Sequence, residues 1–255
     1  MELNLEKYAS GAHQQTSYYS RYFYLRCTMN LRDLSRSEQA KILADYHDNR
    51  DIGREVFEGI SDCLSGDAVI KSAKKLGLAA GKEIIAQNEN ELTILMDYAY
   101  HNQRNGLFNA IERFTNMNSN VVAEYPEFFK AINASFYSVF SVTSVTPGLG
   151  ITVEDMLTGE NIHIIDVGFS HSPRVPNMCG RIIPFKEGYY CTSGAMLPLF
   201  KAHQQEAVDR ILVKFSAHKL SMQQPVFSKK QEAAFQAEII RYLLKTDACE
   251  RVGFI

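Results

Sequence analysis

The stretch FYSVFSVTSVTPGLGITVEDMLTGENIHII, residues 136–165, decides the fold. It is crowded with Phe, Tyr, Val, Ile and Thr, residue types that suit a pleated surface. Pro147-Gly148-Leu149-Gly150 reads as a turn, and Ile151 and Val153 alternate towards Asp155. Thr158-Gly159 reads as a tight turn ahead of a return strand bearing Ile162, Ile164 and Ile165. Beyond a polar loop at 168–177 with two prolines, Met178 to Pro184 and Gly188 to Ser193 supply two more short strands. Five short strands joined by turns predict a compact antiparallel barrel of the SH3 or OB kind.

Outward from the module, both flanks carry helical spacing. Ser35-Arg36-Ser37-Glu38 has the form of a capping box and predicts a helix to about Asn49. A second follows with Val56, Phe57, Ile60, Cys63 and Leu64 on one face, stopped by Gly66. Asp67 is expected to cap a short helix closed by Gly77. Residues 78–88 read as a brief extended excursion. The clearest helix starts at Asn88 or Asn90, with Leu92, Leu95, Met96 and Ala99 as its apolar face. Gly106 breaks it, a further helix carries Leu107, Phe108, Ile111 and Phe114, and Pro126 opens another at its first turn. After the module, Val208, Ile211, Leu212 and Phe215 form one amphipathic face. Ser228, with Gln231 three later, caps a last helix. The expected class is α+β: a mainly helical region 1–133, a β module 134–200, and a helical tail 201–255 packed on the rest.

The composition narrows the function classes. Of 255 residues, 45% are hydrophobic, enough to build a core without staples. The net charge is −2, without the basic excess that phosphate-backbone binding usually carries, so a nucleic-acid partner is not expected. Five cysteines, Cys27, Cys63, Cys179, Cys191 and Cys249, stand far apart with no CxxC pair and read as free thiols in a reducing compartment. The N-terminus lacks the basic-then-apolar order of a signal peptide, and nowhere do about 18 apolar residues run together. A cytoplasmic protein with no membrane span is the expectation. Tyr18-Tyr19-Ser20-Arg21-Tyr22-Phe23-Tyr24 is densely aromatic, and its spacing suits a packing or oligomer surface.

The order of ELTILMDYAYHNQRNGLFNAIERF (91–114), VEDMLTGE (153–160), GRIIPF (180–185) and Tyr190-Cys191-Thr192-Ser193-Gly194 resembles a group of uncharacterised bacterial cytoplasmic proteins. In these, a helical "LMDYA…ER" segment precedes a β module with a "DLLTGE" turn and an "ARLLPF"-like strand. Some carry a C-terminal SEC-C zinc motif, whose CxC start this chain lacks. The resemblance implies an organisation and no chemistry.

The candidate residues follow from residue type and spacing. Asp97 and His101 lie four apart on the clearest helix and share a side of it. With Glu112 they would make a carboxylate–imidazole site for acid–base chemistry or a metal. His163, Asp166 and His171 flank the polar loop and form a second set of ligand-type groups, although His163 alternates with Ile162 and Ile164 and is expected to face solvent. Asp155, Thr158 and Gly159 are read as turn chemistry. Arg181, between Gly180 and Ile182, is expected at the barrel mouth, stapled to Asp155 or holding an acidic ligand. Asp155, Arg181 and Ser193 are thus the binding candidates. No GxSxG occurs, and GLAAGKE at 77–83 departs from the phosphate-loop spacing. No cofactor motif is present, and none is expected. The reading is a non-enzymatic cytoplasmic binding or adaptor protein, its partner a protein or a small acidic ligand, with homo-oligomerisation through aromatic or amphipathic helices. The alternative is a metal-dependent hydrolase.

Overall fold

The computed structural model describes residues 31–171, 175–186, 188–216, 227–246 and 248. The aromatic segment 18–24, with Cys27 and Cys249, lies outside them.

Helix α1, Arg36–Asp62, is continuous, so the expected break near Asn49 does not occur. Its Ser35–Glu38 capping box forms in full, and Ile42, Tyr46, Val56 and Ile60 are buried along its length. The polar run Tyr46 to Asp51 therefore lies mid-helix. Gly53 lies within α1, and a Cβ there would sit 3.6 Å from the Phe128 ring. Helix α2, Gly66–Leu76, is capped by Ser65, two residues before the expected Asp67, and ends on Gly77 in a left-handed conformation. A two-stranded hairpin of β1 (Ala79–Ala80) and β2 (Glu83–Ile84) occupies the extended excursion.

Asn88 caps helix α3, Glu89–Asn102. Its buried face is Glu91, Ile94, Leu95, Asp97, Tyr98 and Ala99, whereas Leu92 is 43% exposed. Asn109, three before Glu112, completes a second capping box for α4, Ala110–Met117, which leaves Leu107 and Phe108 in the preceding loop. Short α5 (Ser119–Glu124) leads to α6 (Pro126–Ala134), with Pro126 at its start.

The β module is a closed barrel of β3 (Phe136–Thr146), β4 (Gly150–Asp155), β5 (Asn161–Ile165), β6 (Asn177–Lys186) and β7 (Tyr189–Thr192). Round the barrel the order is β3-β4-β5-β7-β6, closed by β3–β6 pairing. The β5–β7 pair is parallel, so the sheet is mixed and not wholly antiparallel. A sixth strand, β8 (Leu197–Leu199), extends β6 beyond β7, and short helix α7 (Val167–His171) replaces part of the expected loop. First-second-third-fifth-fourth order, a parallel third–fifth pair and a helix between third and fourth strands are OB-type topology. The chain continues into α8 (Ala202–Ser216) and α9 (Lys229–Leu244), the latter with its Ser228–Gln231 capping box intact.

Strand alternation divides the barrel residues. Phe136, Phe140, Ile151, Val153, Ile162, Ile164, Met178, Ile182 and Tyr190 fill the interior. Outward Ile165, Ile183, Tyr189 and Cys191 pack under Leu31, Leu34, Ile42 and Tyr46. Outward Tyr137, Val139 and Cys179 of β3 and β6 pack against Leu95 and Tyr98 of α3, Val208 of α8, and Phe235 and Ile239 of α9. Two helical layers therefore clad the barrel. OB barrels commonly bind ligands across their second and third strands. Here the outward Thr152 and His163 of those strands are each only 8% exposed, and neighbouring Ile165 is fully covered. Among the described residues no helix is long and apolar enough to cross a membrane.

Candidate functional site

Pairing of Tyr137 with Arg181 across β3 and β6 sets both side chains on the outer barrel wall beneath α3 and α9. Arg181 is 2% exposed, so its charge is removed from water and needs partners. Helices supply them. Nη1 lies 2.9 Å from Glu232 Oε1 of α9, and Nε lies 3.7 Å from Asp97 Oδ2 of α3. Nη2 donates to Gln236 Oε1 at 3.0 Å, and Nη1 reaches Ser135 Oγ at 3.4 Å. Gln236 completes the ring: its Nε2 donates to Asp97 Oδ2 at 3.3 Å, and its Oε1 also accepts from Asn102 Nδ2 at 2.8 Å. Glu232 Oε1 further accepts the Tyr137 backbone N–H at 3.2 Å.

The arginine is thus a staple, as one reading of the sequence has it, but not with Asp155. Alternation turns Arg181 outward, away from the interior. Asp155 accepts from the buried Ser138 hydroxyl, from Leu157 N–H at 2.9 Å, and closes the turn in which Gly159 takes φ +75°.

Beside the staple is a small polar pocket of about 40 Å³, room for a few waters. His101, Asn102, Asn133, Ser135, Arg181, Lys229 and Glu232 contribute to its walls. His101 presents a buried Nε2 that has no hydrogen-bond partner. Burial, then the charges of Arg181 and Lys229, hold its imidazole well below the usual histidine range. Asp97 moves the other way: burial pushes its carboxyl up, against the pull of Arg181, Ser193 and Gln236, with Glu232 adding to the rise. Two groups one helical turn apart are therefore both displaced towards their neutral forms.

Glu112 is not among the pocket's lining residues and belongs to a different set of contacts. Lys229 Nζ donates to its Oε1 at 2.7 Å, Arg104 Nη2 lies 3.0 Å from its Oε2, and that oxygen also caps Asn109. His163 Nδ1 and the Thr152 hydroxyl are 3.0 Å apart. Asp166 accepts from Phe169 N–H at 2.9 Å and from the Thr192 hydroxyl at 2.6 Å, and His171 lies near the Gly148 turn. His163 is buried, not solvent-facing, and its ring lies beside that of Tyr189, centroids 6.3 Å apart. Among the described residues no three His, Cys, Asp or Glu side chains stand close enough to hold a metal ion. Cys63, Cys179 and Cys191 form no disulfide.

Sequence reasoning missed Glu232, Gln236 and Lys229. The signal was present: Glu232 and Gln236 are four apart on a helix whose cap the sequence shows, the same spacing that marks Asp97 and His101.

No curated protein and no solved structure matches the chain. A family model does match residues 40–239, which takes in most of α1, the barrel, the Arg181 staple and most of α9, so the chain belongs to the family of unknown function DUF7986.

Proposed function

We propose that the protein is a non-enzymatic cytoplasmic binding or adaptor protein in which the helix-clad barrel is a rigid core. One observation carries this reading. The groups best suited to chemistry, Asp97, Arg181 and Glu232, are engaged with one another and with Gln236 across the barrel–helix seam. A catalytic carboxylate or guanidinium has to turn to a substrate, and these turn inward. The staple also engages both Nη groups of Arg181, the paired donors that an acidic ligand would need, which favours a protein partner over that ligand. The resemblance to bacterial cytoplasmic proteins and the absence of a spanning helix among the described residues support the location.

The test has two arms. The tagged full-length chain is purified from its native cells, and native mass spectrometry reads the intact mass of what accompanies it. A partner chain in constant stoichiometry that rebinds the purified protein supports the proposal. Turnover of ester, phosphoester or amide probes by the pure protein, lost in Asp97→Asn with the fold intact, overturns it.

A further inference from the structure

The first turn of α9 is held to the protein differently from the rest of that helix. Its later residues, Phe235, Ile239, Ile240 and Leu243, sit in the apolar core with Leu95 and Tyr98. Its start is held by charge: Lys229 to Glu112 on α4, and Glu232 to Arg181 on β6. Apolar contacts ignore pH, and charged ones do not.

His101 reaches this junction from α3. Arg181 on β6 and Lys229 and Glu232 on α9 share its pocket; Asp97 on α3 lies beside Arg181, and Glu112 on α4 pairs with Lys229 and with Arg104 of the preceding loop. Each carboxylate already has a cation near it: Asp97 lies 3.7 Å from Arg181 Nε, Glu232 pairs with Arg181, and Glu112 pairs with Lys229 and Arg104. No carboxylate among them is reserved for an imidazolium. Nε2 is a buried atom with no hydrogen-bond partner, in the wall of a pocket with room for a few waters.

We propose that the seam is a proton-operated latch: a proton taken up by His101 sets a third cation beside Arg181 and Lys229 and releases the first turns of α9 from the barrel. The proton comes from solvent and binds Nε2 or Nδ1, whichever is unprotonated in the neutral ring. Release exposes the imidazole to water, where its affinity for the proton is that of an ordinary histidine. Opening therefore grows by up to about tenfold per pH unit once the pH falls below about 6.5. This device stands independently of what the protein binds.

Hydrogen–deuterium exchange on the full-length chain tests it, with rates corrected for the intrinsic pH dependence. From about pH 7.5 to about pH 5, amides at 233–236 are expected to gain roughly tenfold or more in opening, while those of β3 stay unchanged. His101→Gln removes the proton site and is expected to abolish the gain. His101→Asn serves if the glutamine variant does not fold. Equal gains in wild type and variant, no gain in wild type, or a parallel rise in β3 that marks global unfolding would each overturn the latch.

Discussion

Arg181 of β6 and Glu232 of α9 stand 2.9 Å apart, 51 positions from each other in sequence (232 − 181), and this ion pair fastens the last helix to the barrel wall. Removing one partner of a buried pair leaves the others charged and unsolvated. Arg181→Met strands both Glu232 and Asp97, so the expected loss is about 3–5 kcal/mol, read as a shift in denaturation midpoint. Adding Asp97→Asn and Glu232→Gln to Arg181→Met is expected to recover part of that loss, because no buried carboxylate then lacks its cation. A triple variant no better than Arg181→Met would locate the cost in packing and not in charge.

What was legible in the sequence was local. The Ser35–Glu38 and Ser228–Gln231 boxes each act over three residues, and both form as read. The switch at Phe136 from helical to strand spacing marks the barrel, because period-2 alternation is a property of neighbouring residues. What stayed hidden is pairing at a distance. Nothing near Ile164 reveals that Tyr190 lies parallel beside it. Nothing near Arg181 distinguishes Asp155 from Asp97 as its partner; the direction of the side chain decides, and that depends on which wall of a closed barrel faces the helices. Leu92 was misplaced for a related reason. Four apolar residues fit one helix stripe, but the barrel receives the stripe through Ile94, Leu95 and Tyr98.

Leu95 has no solvent exposure and lies in the core shared by α3, α9 and the barrel wall. Leu95→Ala is expected to cost about 2–5 kcal/mol, the transfer loss plus the cavity left behind. Leu92→Ala on the exposed side of α3 provides the contrast, with a change within about 0.5 kcal/mol. Equilibrium urea unfolding of both variants checks the assignment of the face, and equal losses would refute it.

Gly150 and Gly148 flank one turn and should answer differently to alanine. A Cβ on Gly150 would lie 2.1 Å from the Ile164 carbonyl oxygen, a backbone atom in the paired strand β5. Relief requires β4 and β5 to part, so Gly150→Ala is expected to cost more than about 2 kcal/mol. A Cβ on Gly148 would meet only the His171 ring at an ordinary contact distance of 4.0 Å, but Gly148 takes φ +75°, and its penalty is the smaller conformational one, about 1 kcal/mol. Thermal melts of the two variants rank them, and a larger loss at Gly148 would mean that the strands can separate cheaply.

Glu112 links two functions that a single substitution can separate. Its carboxylate accepts the Asn109 N–H in the capping box of α4, and it pairs with Lys229 and Arg104. Burial alone would raise its pKa. The Lys229 hydrogen bond, the Asn109 amide and the two cations outweigh that and hold it below the ordinary glutamate value. A depressed carboxylate binds its proton more weakly folded than unfolded, so its stabilisation is present above the unfolded pKa and is lost as pH falls through the folded one. Glutamine at the third helical position still completes a capping box, so Glu112→Gln removes the charge and keeps the cap. The expected cost near pH 7 is about 0.5–1 kcal/mol, modest because both cations are partly exposed. It should shrink as pH falls from the ordinary glutamate range through the depressed folded value, where the wild-type side chain itself takes up a proton. Denaturation midpoints of wild type and Glu112→Gln measured across that range should converge on acidification. A constant gap would show that the glutamine disturbs the cap, and that the ion pairs with Lys229 and Arg104 contribute nothing measurable.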